Sequence, residues 1–315
     1  MDVTVLADNT VATSRPLGLT GEWGFAAAVG DVLLDTGLTG AAHRNAVRLG
    51  LDPAFETIVL SHGHGDHTGG LDEFLAAEPT VYLHPEAWRP RYNEGTHIGL
   101  PYTRSKVENA ATVVEHREPR EVAPGVWALG EVPREHPDNP TGETPADWDG
   151  SADDPDGPPD GDRSGDGLVE DTVPDDQSLA VETGDGIGLV LGCCHAGLRN
   201  TVEHAERTLG VVCRDCLTRA FGDTIDQYPL MRRDLVDMAV DYEAAAAFVR
   251  SIVGGTHLVG TDRAGLEDVA AWLADKESIE TVAPSHCTGF EGETVLQSKL
   301  GEVFEPVGVG STVEL

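Results

Sequence analysis

Apolar positions in the first half of the chain come in short runs broken by Gly, Pro and Asp, a pattern of strands and tight turns rather than long helices. Residues 3–8 form one such run and 25–34 another. The Gly30-Asp31 pair inside the second predicts a hairpin. Residues 41–49 read as a helix stopped by Gly50. Residues 56–60, Glu-Thr-Ile-Val-Leu, read as a compact buried strand. A short helix is expected at 71–77, a strand at 80–83 and a β-rich stretch at 112–129. The second half repeats the rhythm. Strands are expected at 178–182 and 187–191, a helix at 200–209, a helix at 242–251 and a strand at 257–260. An amphipathic helix at 264–276, with Trp272 and Leu273 on its apolar side, precedes a strand at 279–283. Two successive β-then-α halves predict an α/β protein with two packed sheets and helices outside.

Charge narrows the partners. Acids outnumber bases 55 to 21 for a net charge of −34, and Lys106, Lys276 and Lys299 are the only lysines. Such a surface repels nucleic acid and anionic membranes, so neither is an expected partner. The Asp-rich, Lys-poor balance is that of proteins in salt-loaded, halophilic cytoplasm, where concentrated cations screen the repulsion. The N-terminal segment lacks a basic region followed by a long apolar one, and no run reaches the roughly 18 apolar residues of a membrane span. A cytoplasmic location is the expectation. The cysteines, at 193, 194, 213, 216 and 287, are few and unevenly spaced, which argues against a disulfide framework. Residues 138–176 carry fourteen acids and one base, Arg163, with many Pro and Gly. That composition buries too little to offset its ordering entropy. The expectation is a single domain over 1–315 with an acidic, disordered insertion at about 138–176.

The chemistry starts at Ser61-His62-Gly63-His64-Gly65-Asp66-His67, directly after the predicted strand at 56–60. His62 and His64 can turn toward one ion, and Asp66 and His67 toward a second beside it. Imidazole and carboxylate suit zinc at about 2.0–2.2 Å, and also manganese or iron. One loop cannot complete two coordination spheres, so further ligands must return from elsewhere. His195, in Gly192-Cys193-Cys194-His195-Ala196-Gly197, follows an apolar strand. His286 follows another, in Pro284-Ser285-His286-Cys287-Thr288-Gly289. Cys193 is either an additional ligand or a residue that shapes the turn. His257, after Gly254-Gly255, is read as a ligand, a proton donor or a substrate contact.

Together these motifs resemble the metallo-β-lactamase superfamily. Asp35-Thr36-Gly37 matches its early Asp turn, His62 to His67 its signature and His286 its last histidine. Asp175-Asp176-Gln177-Ser178-Leu179, the Cys-x-His turn with Asn200, Gly254-Gly255-Thr256-His257-Leu258 and His286-Cys287-Thr288-Gly289 look most like its 7,8-dihydropterin-6-methyl-4-(β-D-ribofuranosyl)aminobenzene 5′-phosphate synthase branch. The resemblance implies a four-layer αββα sandwich with two divalent metal ions, zinc foremost, at one sheet edge. The ligands would be His62, His64, Asp66, His67, His195 and His286. The chain also departs from the pattern. Hydrolytic relatives supply a His before a late strand and an Asp after the next, whereas here Asp175 and Asp176 precede Ser178, and Cys193, Cys194 and His195 follow the next strand.

The implied activity joins a pterin methyl carbon to an aryl nitrogen with release of diphosphate, on a phosphorylated small-molecule substrate. The same two ions could instead generate a hydroxide nucleophile, which Asp66 would orient while His257 protonates the leaving group. A second reading is a metal-dependent hydrolase of a phosphodiester, thioester or lactone. A third is a non-enzymatic metal-binding or redox protein, to which Cys213-Arg214-Asp215-Cys216 would contribute.

Overall fold

The computed structural model describes residues 1–150, 167–209 and 248–315. In its first half the strands are β1 (Asp2–Ala7), β2 (Ala26–Val29), β3 (Val32–Leu34), β4 (Thr57–Val59), β5 (Thr80–Leu83), β6 (Tyr92–Asn93), β7 (Thr96–His97), β8 (Thr112–Glu115), β9 (Arg120–Ala123), β10 (Val126–Ala128) and β11 (Glu143–Pro145). There follow β12 (Leu168–Glu170), β13 (Ser178–Glu182), β14 (Ile187–Leu191), β15 (Val249–Gly255), β16 (Thr281–Ser285) and β17 (Thr312–Glu314). One seven-stranded sheet has the order β17-β1-β2-β3-β4-β5-β8, a six-stranded sheet the order β16-β15-β14-β13-β10-β9, and a small sheet the order β12-β11-β6-β7.

Alternation along the central strands explains the layering, because successive side chains leave opposite faces of a sheet. Val32, Leu34 and Val59 enter one apolar cluster with Val126, Val181, Val190, Val253 and Ala283, which fills the space between the two large sheets. Their neighbours Leu33 and Ile58 enter a second cluster with Ala42, Ala46 and Phe74, under the helix Ala41–Leu49. Leu189, Leu191, Ile252 and Val282 point the other way from the six-stranded sheet. They meet Val202, Leu266, Leu273 and Leu296 on the helices 198–209, Arg263–Asp275 and Gly289–Leu300. The result is the expected αββα sandwich. The two large sheets are covered on both faces, so β14 reads as a near-continuous apolar run.

Local expectations mostly hold. The hairpin turns at Gly30-Asp31, with Val29 opposite Val32. The helix Ala41–Leu49 ends at Gly50 in the left-handed region, φ 81°. Others are corrected. The helix expected at 71–77 is two 3-10 turns, Leu71–Glu73 and Leu75–Ala77, which turn Leu71, Phe74 and Leu75 into the second cluster. Of the helix expected at 242–251, residues 242–247 lie outside the described residues, and 249–251 belong to β15. Parallel pairing with β14 and β16 on both sides overrides the local helix signal there. The strand expected at 257–260 is instead the turn that follows β15. The helix Gly289–Leu300 and β17 were not anticipated.

The acidic segment 138–176 is described at its two ends, 138–150 and 167–176. Its ends are built into the small sheet through β11 and β12, which pair with each other, and Asp171, Asp175 and Asp176 are buried. What holds the first two is Arg91, fully buried itself. It lies 2.5 Å from Asp171 through Nε and 2.5 Å from Asp175 through Nη2. The Cys213/Cys216 pair lies outside the described residues. Among the described residues no helix is long and apolar enough to cross a membrane.

Removing one partner of a buried ion pair leaves the other charges uncompensated. Arg91→Ala is expected to destabilise the fold by about 3–5 kcal/mol in chemical denaturation. Arg263→Ala, which removes the exposed pair with Glu267, should cost under about 1 kcal/mol.

Candidate metal centre

The parallel strands β3 and β4 of one sheet and β14, β15 and β16 of the other point their C-terminal ends toward the same edge of the sandwich, where open α/β sheets collect ligands. Asp35 follows β3, His62 to His67 follow β4, Cys193 to His195 follow β14, His257 follows β15 and His286 follows β16. The backbone is strained where it turns there. Asp35 (φ 57°), Cys194 (64°), His257 (49°) and His286 (49°) all occupy the left-handed region. Each such residue carries a conformational cost that the surrounding packing must hold in place.

Two clusters of side chains result. The His195 ring centroid lies 4.8 Å from that of His62 and 5.0 Å from that of His64, so His195 joins these two. On the other side the His67 and His286 Nε2 atoms stand 3.2 Å apart, and Asp66 Oδ2 lies 3.5 Å from His286 Nε2. Cys193 belongs to both neighbourhoods. Its sulfur comes within 4.8 Å of the ligand atoms of His62 and His195, and likewise of His67 and His286. The structure thus brings together all six histidines and acids expected at a metal centre, with Cys193 between them.

Hydrogen bonds behind the rings decide which nitrogen carries each proton. Ser61 Oγ donates to Asp35 Oδ2 (2.7 Å), so it accepts from His62 Nδ1 (2.9 Å) and leaves the His62 Nε2 lone pair facing inward. His67 Nδ1 donates to Asp35 Oδ2 at 2.6 Å, and His195 Nδ1 to the Asn139 carbonyl at 3.0 Å. His286 Nδ1 faces Asn9 Oδ1 at 3.3 Å, while Asn9 Nδ2 is occupied with the His286 carbonyl. His64 turns its Nδ1 toward His62 Nε2 at 2.9 Å, and the buried Nε2 of His195 has no hydrogen-bond partner. Lone pairs held inward by outward protons, on imidazole, carboxylate and thiol, form a donor set that fits divalent metal ions.

Electrostatics agree. Burial, then the neighbouring imidazoles, holds His62 and His195 well below the usual imidazole range. Burial and the Arg91 charge push His64 down to about 3. All three are therefore neutral at pH 7, the form that binds metal. For His67 burial acts in the same direction, but the Asp35 and Asp66 carboxylates outweigh it and hold the ring up to about 9. The same histidines, particularly His67 and His286, keep Asp66 ionised although burial opposes it.

Several residues that set this geometry stand in the sequence as a motif without an evident role. Asp175 Oδ2 accepts from Gly63 N (2.8 Å), and Asp176 Oδ2 from Ala196 N (2.9 Å). Gln177 donates from its backbone to the Ser61 carbonyl (2.9 Å) and from Nε2 to the Leu60 carbonyl (3.0 Å). Consecutive residues thus clamp the loop of His62 and the turn of His195 to one another. Burial pushes Asp176 up to about 6. The signal was the acidic pair where hydrolytic relatives place a histidine. Gly192 is required by close approach, since a Cβ there would lie 2.1 Å from Ser61 Oγ.

Asp35→Asn removes the acceptor behind His67 and is expected to lower metal affinity about 10–100-fold with the fold intact, measured by metal titration. In the wild type a metal competes with the His67 proton, so affinity should rise as pH rises toward about 9. In Asp35→Asn that rise should end at lower pH.

Comparison with known proteins places this geometry. The metallo-beta-lactamase superfamily matches residues 30–197, more than half of the chain. The 7,8-dihydropterin-6-methyl-4-(β-D-ribofuranosyl)-aminobenzene-5′-phosphate synthase of Methanocaldococcus jannaschii is 23% identical over 284 residues, covering 86% of this chain and 79% of that protein. A second protein of the same organism is 24% identical over 319 residues, covering 97% of this chain and 98% of its own. Among solved structures, Tm1679, described as a metal-dependent hydrolase of the β-lactamase superfamily, aligns over 100% of this chain and 99% of its own with a TM-score of 0.70 at 24% identity. By the match over residues 30–197, the chain belongs to the metallo-β-lactamase superfamily.

Proposed function

We propose that this protein is a two-metal enzyme that condenses a dihydropterin diphosphate with an aryl amine and releases diphosphate. The observation that carries the reading is the pairing of His62, His64 and His195 on one side of Cys193 with Asp66, His67 and His286 on the other, at the floor of an open cleft of about 720 Å³. We assign the first three to one ion, the second three to the other, and Cys193 to both. A thiol within an imidazole and carboxylate set favours zinc over manganese or iron. When bound, the two ions would neutralise a leaving diphosphate and polarise its bridging oxygen.

The cleft walls support a flat, phosphorylated substrate. Trp23 is half-exposed at the rim, its ring 5.1 Å from that of His286, and offers a face for a bicyclic ring. Ile98, Pro101 and Tyr102 line another part of the wall. The described lining contains no lysine or arginine, so the metal ions and histidines are what would receive the phosphates. In the condensation the aryl nitrogen bonds the pterin methyl carbon, the carbon–oxygen bond to diphosphate breaks, and the amine loses a proton. Asp66, ionised and open to the cleft, is placed to orient the incoming amine, whose proton leaves to solvent. His257 is not used as the proton donor. Its Nδ1 faces Cys193 Sγ at 3.5 Å and its Nε2 faces Thr141 Oγ1 at 3.1 Å, so both ring nitrogens are engaged. The similarity to the synthase of M. jannaschii supports the same substrate class. The charge of −34 favours a small molecule over nucleic acid and calls for assays in high salt.

Metal analysis is expected to find at least two ions per chain, with the number falling in His62→Ala and in His286→Ala. Retention of both ions in both variants would overturn the assigned centre. With a dihydropterin diphosphate, diphosphate release should require the aryl amine. Hydrolysis of phosphodiesters or lactones without that condensation would identify a hydrolase of the same fold, and neither activity would leave a metal-binding protein.

A further inference from the structure

One cluster in the cleft wall reaches beyond the residues assigned to this reaction and shares only Cys193 with them. Cys193 and Cys287 follow β14 and β16, which are separated by β15 and would ordinarily hold their side chains apart. The gap is closed because β15 ends in Gly254-Gly255. A Cβ at Gly255 would lie 2.7 Å from Cys287 Sγ and 3.4 Å from the Cys193 Cα. In the space left empty, Cys287 Sγ comes 3.3 Å from the Cys193 carbonyl oxygen. The strained turn at His257 then folds that ring over both sulfurs, with the His257 backbone N–H donating to Cys287 Sγ at 3.3 Å.

The imidazole is oriented toward the sulfurs. Thr141 Oγ1 donates to the Asn139 carbonyl, so it accepts from His257 Nε2–H at 3.1 Å. The Nδ1 lone pair is thereby left facing Cys193 Sγ at 3.5 Å. The Cys193 and Cys287 sulfurs and the His257 ring nitrogen all lie within 4.8 Å of one another. Tetrahedral zinc with bonds of about 2.3 Å to sulfur spans roughly 3.8 Å between two sulfurs, so little movement would close them on one ion. All three residues line the cleft, which leaves a fourth position open to solvent or ligand.

We propose that Cys193, His257 and Cys287 form a thiolate-rich metal position in the cleft wall, additional to the two histidine groups, for a soft ion such as Zn(II), Cd(II) or Cu(I). Two sulfurs and one imidazole select thiophilic ions over magnesium, calcium or manganese. The position does not depend on the pterin reading. It touches the histidine groups through Cys193, which all three groups share.

Cadmium is the probe, because its sulfur-to-metal charge-transfer absorption counts bound thiolates and is silent for histidine. The metal-free protein is titrated in a Cys213→Ser/Cys216→Ser background, which removes the other exchangeable pair. Cys194 is packed in the apolar core, its sulfur 3.4 Å from Thr201 Oγ1. The saturating band is expected to fall to about half in Cys287→Ser, where Cys193 is the one thiolate left to bind. Thr141→Val keeps every ligand and frees only the ring of His257, so the full band should persist while cadmium affinity falls about 10-fold or more. Equal bands in Cys287→Ser and its parent would overturn the proposal. So would an unchanged affinity in Thr141→Val, which decides the matter if Cys287→Ser does not fold. His62→Ala should remove an ion of the histidine centre while the loss of band on Cys287→Ser persists in that background, which separates failure here from failure of the histidine centre.

Discussion

A single buried carboxylate holds the two halves of the His62 to His67 loop. Asp35, with no exposed surface, accepts the Ser61 backbone N–H on Oδ1, and the Ser61 hydroxyl and the His67 ring on Oδ2. Those bonds place a proton on the outward nitrogen of His67 and, through Ser61, on that of His62. The inward nitrogens are then lone pairs by necessity rather than by choice of rotamer. A buried carboxylate is costly unless every oxygen is satisfied, and here both are. The cost is offset by a site whose ligands are oriented before any ion arrives.

The second requirement is that loops from two sheets keep a common distance. The strands do this only coarsely, because the loops of Asp35, Cys194, His257 and His286 turn through left-handed backbone. The finer setting comes from Asp175, Asp176 and Gln177, which tie the His62 loop to the His195 turn, and from Arg91 beneath them. Near Cys287, Asp8 accepts from the His286 N–H at 2.8 Å and Asn9 holds its carbonyl, so the N-terminal strand anchors the last histidine. Elements hundreds of residues apart thus share one polar network, and low dielectric makes each of its bonds matter.

The acidic surface and this centre obey different rules. Outside, the excess of carboxylates is solvated. Inside, each buried acid is assigned: Asp171 and Asp175 to Arg91, Asp176 to a backbone amide, Asp35 to serine and histidine, Asp66 to the second pair of histidines. The composition of residues 138–176 hides this division. Its Pro, Gly and Asp content has the signature of disorder, yet the acids at its end are structural because a lone buried arginine waits for them.

Short-range chemistry was legible in the chain itself. Period-two alternation, Gly30-Asp31 and Gly50 located the strands, hairpin and first helix, and the spacing of His62, His64, Asp66 and His67 announced metal binding, because these features depend on neighbours within a few residues. Residues 249–251 were misread because a strand buried between two parallel neighbours carries no alternation, and its pairing is set by segments far away. Tertiary structure alone decided that His195 joins His62 and His64, that Cys193 stands between the groups, and that Cys193 meets Cys287 across the gap at Gly254-Gly255. Each of these is a distance between strand ends in the folded sandwich, and no spacing along the chain encodes it.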